Sequence, residues 1–184
     1  MNEDAVGATG TAAWVIDGAT GVSDRAPLVA GITDPAWLAG QLNDKLSSTF
    51  QMGEVHLPSA LAKIEAEIQA GFAAIDLLPM LTAGEQPSAA FALAALAVDS
   101  VHLVGIGDCR IIFESHTGEV AEFNPSEVGP AEGLIIQERS RLTAAYPGED
   151  PLPRLKPFMR SIRESVNLEV DIQSCTPLVL GAAA

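Results

Sequence analysis

Glu3, Asp4, Asp17 and Asp108 are the residues of this chain whose types and placing could do chemistry. Glu3 and Asp4 stand in "NEDAVGATG", Asp17 ends the apolar run "AAWVID" and is followed by Gly18, and Asp108 follows a second apolar run, "VHLVGIG". Each acid has an ordinary structural reading. Asp-Gly and Gly-Asp are turn pairs, and acids beside a terminus are commonly solvated. Asp17 and Asp108 differ in that their backbones start at the edge of a core, where a carboxylate needs a partner. Acids gathered without bases suit a hard divalent cation, which takes oxygen ligands.

The sequence also outlines the elements that must position these acids. "AAWVID", from Ala12 to Asp17, reads as a buried strand stopped by Asp17-Gly18. "TDPAWLAGQLNDKLSSTF" predicts a helix with Asp34 as N-cap, Pro35 at its first position, and Trp37, Leu38, Leu42 and Phe50 as the buried stripe. "PSALAKIEAEIQAGFAAI" predicts a second helix, with Leu61, Ile64, Ile68 and Phe72 on one face and Lys63, Glu65 and Glu67 pointing elsewhere. Apolar runs from Ala89 to Phe123, punctuated by Asp99-Ser100, Gly107-Asp108 and Thr117-Gly118, predict a meander of consecutive antiparallel strands. "PAEGLIIQERSRLTAAY" and "PRLKPFMRSIRESV" read as helices, and "CTPLVLG" as one last buried strand. Helices, then strands, then helices predict an α+β fold with segregated layers, in a single domain over residues 1–184.

Composition narrows the function classes. The chain has 24 acids against 10 bases, a net charge of -14, which repels nucleic acid and anionic lipid. The one basic cluster, between Arg139 and Arg163, is dilute. At 48% hydrophobic and 18% charged residues the chain has the makings of a core. Cys109 and Cys175 form no CxxC pair, so a disulfide framework or zinc site has no support. The start lacks the basic and apolar regions of a signal peptide, and "AAFALAALAV" is too short to span a membrane, which takes ~20 residues. The expectation is a cytoplasmic chain without nucleic-acid or membrane partners; its oligomeric state stays open.

Taken in order, "NED", "WVIDGATG" thirteen residues on from Asp4 to Asp17, and "VHLVGIGDCRIIF" resemble the motifs of the metal-dependent PPM (PP2C-type) protein phosphatases. Each motif is weak alone; the three in order, with two helices between the second and third, are more specific. "DGATG" resembles the simpler form of bacterial members. The resemblance implies a four-layer αββα sandwich of two antiparallel sheets flanked by helices. It implies hydrolysis of phosphoserine or phosphothreonine esters, on a phosphorylated protein or a small phosphate ester, by a water bridging two Mn2+ or Mg2+ ions, with no covalent phosphoenzyme. Residue by residue, Glu3 matches a metal ligand with Asp4 beside it shaping the site. Asp17 matches the carboxylate bridging the two ions, Gly18 offers its backbone carbonyl, and Asp108 matches the acid of a third, more weakly held ion. Glu3 and Asp17 are the catalytic candidates.

The sequence departs from the pattern in several places. No arginine precedes Glu3 to clamp phosphate, which leaves Arg25 and Arg110 as weak candidates. Ala19 and Thr20 follow the Asp-Gly pair where eukaryotic members commonly have histidine, and Cys109 stands where the family has serine, as a packing residue rather than a nucleophile. After "TPLVLG", "AAA" stands where a further Asp-Gly is expected, and the final "DN" motif is missing, as in a domain cut before its last acidic motifs; Asp150 and Asp171 lack the motif's context. These gaps motivate an alternative, a noncatalytic regulatory or binding module on the same scaffold. A plain acidic globular protein whose motifs match by chance is the third reading.

Overall fold

The apolar run "AAWVIDG" forms a strand as expected, but it is buried on one face only. The computed structural model describes residues 2–51, 56–75, 81–98, 100–123 and 130–167. In it β1 (Ala5–Ala8) and β2 (Ala12–Gly18) pair antiparallel, and β2 buries Ala12, Trp14, Ile16 and Gly18 while exposing Ala13, Val15 and Asp17. This is the period-two pattern of a strand covered on one face. Two helices follow, α1 (Asp34–Phe50) and α2 (Leu57–Ala73), then a single 3-10 turn over Ala83–Glu85. β3 (Ala89–Leu96) and β4 (Val101–Ile106) complete a four-stranded antiparallel sheet in the order β1-β2-β3-β4. β5 (Ile111–Glu114) and β6 (Val120–Phe123) form a second, two-stranded antiparallel sheet, and the helices α3 (Pro130–Ala145) and α4 (Leu152–Asn167) follow.

The core lies between the first sheet and α1 with α2. Trp14, Ile16, Phe91, Leu93 and Val104 from the sheet pack with Ala39, Leu46 and Phe50 of α1 and Leu57 and Ile64 of α2. Trp14 is 2% exposed, and its ring lies 6.2 Å from that of Phe50. Its indole N–H donates to Asn43 Oδ1 at 3.0 Å, so the one polar atom of the ring is satisfied inside the core. Each large side chain buried this way contributes about 1.5–3 kcal/mol. Trp37 and Phe72 meet edge to face at 4.8 Å and tie α1 to α2.

Two expectations are corrected. The N-cap of α1 is Thr33, whose hydroxyl accepts from the Ala36 N–H at 3.4 Å; Asp34 is the first helical residue. Asp34 turns outward instead, accepting from Arg25 Nη2 and from the Leu28 N–H at 2.6 Å each. A carboxylate in the first turn also suits the positive end of the helix dipole. The strands from Ala89 to Phe123 are not one meander. β3 pairs with β4 and β5 with β6, but the chain changes sheet at Gly107-Asp108. Gly107 holds φ 78°, a left-handed conformation that disfavours a side chain, and a Cβ there would collide with that of Ala90. The segment read as a last strand, "CTPLVLG", and Asp171 lie outside the described residues.

Candidate metal centre

The register of the first sheet gathers the acids. Ala5 pairs with Ile16, so the next position along places Asp4 across from Asp17; Asp17 pairs with Ala90, and the ladder Phe91 to Ile106 continues to Ala90 beside Gly107. Directly opposite residues share a face. The row Asp4, Asp17, Ala90, Gly107 thus has two carboxylates at one side and two residues with little or no side chain at the other.

Asp4 and Asp17 lie within hydrogen-bonding reach of each other's carboxyls. Partial desolvation against the sheet raises the Asp17 pKa above its ordinary 3.8, and the hydrogen bond and charge of Asp4 and the charges of Asp108 and Glu3 raise it further. The other three predicted acids are therefore close enough to act on Asp17. They act on it differently: Asp4 acts through hydrogen bonding and charge, whereas Asp108 and Glu3 act by charge.

Glu3 falls in the neighbouring row, against Gly18. A Cβ on Gly18 would collide with the Glu3 carbonyl oxygen and crowd Pro35, so the Asp-Gly pair brings β1 and α1 to one point. Here glycine serves close approach as well as chain reversal. Glu3 also lines a cavity of about 270 Å3 between the segment from Thr20 to Pro27 and α4. Among the described residues no three His, Cys, Asp or Glu side chains stand together as a finished ligand set.

Cys109 sits beside Asp17, linked to it by a backbone hydrogen bond. Burial raises its thiol pKa, and Asp108, Asp17 and Asp4 add to the rise, so the thiolate a nucleophile requires is disfavoured. The two phosphate candidates are engaged elsewhere. Arg25 donates to Asp34 at 2.6 Å and to the Ala26 carbonyl at 2.7 Å, and Arg110 pairs with Glu122 at 3.0 Å. Asp150 accepts from the Leu152 N–H at 3.0 Å at the start of α4, an end-capping contact.

The residue missed from sequence is Arg163. Its Nη2 donates to the Thr20 carbonyl at 2.9 Å, across 143 positions of chain. Burial lowers its pKa, and the charge of Glu3 opposes that shift. A signal was present in the spacing of Lys156, Arg160 and Arg163, which repeats at helical intervals. It read as a dilute basic cluster because the acids facing it come from residues 3 to 85.

The chemistry of the donor set fits hard divalent ions: oxygen donors at one sheet edge, with their own charges raising the pKa of Asp17. The chain matches no protein-family model, and no curated protein matches it. Two solved structures do match in shape. One is the catalytic domain of the serine/threonine protein phosphatase PstP in complex with two manganese ions, at 19% identity and TM-score 0.52, over 74% of this chain and 54% of that one. The other is the Mycobacterium tuberculosis serine/threonine phosphatase PstP/Ppp, at 19% identity and TM-score 0.51, over 80% of this chain and 58% of that one. The chain thus spans somewhat more than half the length of these two structures. With two antiparallel sheets and four α-helices among its described residues, this is an α+β chain of the PP2C-like fold.

Proposed function

We propose that this chain carries out metal-dependent hydrolysis of phosphoserine and phosphothreonine esters. The observation that supports the reading most directly is the meeting of Asp4 and Asp17 at the sheet edge within the charge field of Glu3 and Asp108, on a fold shared with manganese-bound PstP. Asp17, Asp4, Asp108, Glu3 and the Gly18 carbonyl would hold Mn2+ or Mg2+, two ions with a third more weakly bound. When bound, such ions supply an activated water and neutralise charge developing on the phosphoryl oxygens. The chain's own part is to hold the carboxylates close together. Cys109 takes no part as a nucleophile. Among the described residues no helix is long and apolar enough to cross a membrane.

A second reading has its own observation. The ligand set is unfinished among the described residues, as it would be in a regulatory module that keeps the scaffold without the ions. One experiment separates the two: Mn2+-dependent hydrolysis of p-nitrophenyl phosphate by the parent chain and by Asp17→Asn, with intact mass checked. The phosphatase reading expects turnover by the parent and a loss of at least about a hundredfold in the variant, because even outer-shell changes at metal sites cost about 10–100-fold. No turnover by a chain of confirmed mass favours the module.

A further inference from the structure

The cavity beside Glu3 contains a cation, Arg163, that forms no ion pair among the described residues and feels the charge of Glu3. Lys156, Arg160 and Arg163 stand four and then three residues apart on α4, on one helix face. Lys156 lies 3.7 Å from Asp24, and Arg160 pairs with Asp24 at 2.7 Å and with Glu85 at 3.6 Å. Arg163 continues the stripe without an ion pair of this kind among the described residues. Its one hydrogen bond there is to the Thr20 carbonyl. A guanidinium presents five N–H donors in a planar fork, so most of its donor capacity is left for something else.

The surroundings indicate what that is. Arg163 lines the cavity of about 270 Å3 together with Glu3, Thr20, Ser23, Arg25 and Lys156. This volume lies near the lower end for small-molecule pockets and suits a compact polar group. The chain's charge of -14 opposes any anion that approaches the acidic edge, so such an anion needs a local cation. Arg25 is committed to Asp34 and Lys156 faces Asp24. That leaves Arg163 as the cavity-lining cation without an ion pair among the described residues, and its fork matches a tetrahedral oxyanion bidentately.

We propose that Arg163 is an oxyanion clamp, binding the phosphate group of a monoester that enters the cavity beside Glu3. The phosphatase reading above supplies only the identity of the oxyanion as a phosphate ester. Binding itself requires no turnover. The competing role is structural: Arg163 would do no more than tie α4 to Thr20. Glutamine at this position can still donate to the Thr20 carbonyl but has neither the charge nor the fork, and lysine keeps the charge alone.

The test titrates inorganic phosphate by calorimetry into the full chain and into Arg163→Ala, Arg163→Gln and Arg163→Lys, with and without Mn2+, and follows melting temperature alongside. Arg163→Ala and Arg163→Gln are expected to weaken phosphate binding by about 10–100-fold, the range for hydrogen bonds to charged groups. Arg163→Lys should retain part of the binding, and Arg163→Gln should melt close to the parent. Phosphate binding by Arg163→Gln within about twofold of the parent, well short of one charged hydrogen bond, overturns the clamp, as does a parent that binds no phosphate. Hydrolysis of p-nitrophenyl phosphate on the same samples separates the two proposals. Binding that depends on Arg163 without turnover sinks the phosphatase reading and keeps the clamp, whereas turnover whose KM is unmoved in Arg163→Gln keeps the phosphatase and sinks the clamp.

Discussion

The acidic row on β1 and β2 and the seam along α4 lie on either side of Glu3 and treat charge in opposite ways. At the seam, Asp24 takes both Lys156 and Arg160, Glu85 takes Arg160 again, and nearby Asp34 takes Arg25. At the row, Asp4 and Asp17 face each other, with two more acids adding to the repulsion. Like charges this close destabilise the folded state unless something of opposite sign is supplied. The difference sets opposite expectations for substitution: at the seam Lys156 and Arg160 are matched by acids, with Arg163 alone of that stripe lacking an ion pair among the described residues, whereas in the row like charges face one another.

Changes on the paired side should therefore cost stability, and a change in the row should return some. The largest effect is expected from Asp34→Ala. It strips a partner from Arg25, whose side chain is only 23% exposed, and removes the acceptor of the Leu28 N–H. Leaving a partly buried guanidinium unpaired costs about 2–3 kcal/mol, and thermal melting should fall by roughly 5–10 °C. Asp24→Ala comes next. Asp24 is 66% exposed, which weakens its pairs, so removing it should cost about 1 kcal/mol or less and lower melting by about 2–4 °C. Either variant left at the parent's melting temperature breaks the contrast.

Asp17→Asn should have the smallest thermal effect and the opposite sign, raising the melting temperature of the metal-free chain by about one or two degrees at neutral pH. A carboxyl whose pKa is raised by folding binds its proton more tightly in the folded state. The resulting penalty is absent below the ordinary value of 3.8 and grows as pH rises through the folded value. The gain from asparagine should thus disappear in acid and be full at neutral pH. Melting curves of both proteins across that range check the sign, and a gain that grows toward acid contradicts it.

Local features carried through to the structure wherever neighbouring residues settle them. The strand ending in Asp17 reads from its apolar run and the Asp-Gly stop, α1 and α2 from helical periodicity, and Gly107 from its turn pair, and each stands within a residue or two of its expected place. Thr33 displaced Asp34 as N-cap because Arg25 and the Leu28 N–H offered Asp34 better partners from outside the helix. The supposed meander failed for a similar reason. A glycine and an aspartate reverse a chain equally well into a neighbouring strand or into another sheet, and only packing chooses.

By itself the sequence determined the identities and order of Glu3, Asp4, Asp17, Gly18 and Asp108, and the strand and helix periods that bring a carboxylate to the end of an apolar run. Tertiary structure decided which of them meet. Register put Asp4 beside Asp17 and moved Glu3 one row away, because a shift of one residue changes the face a strand side chain points from. It also decided that Arg163 reaches Thr20 and the cavity beside Glu3, a contact across 143 positions that no local spacing encodes. Periodicity is a property of neighbours in the chain, whereas the balance of charge in a site is a property of neighbours in space.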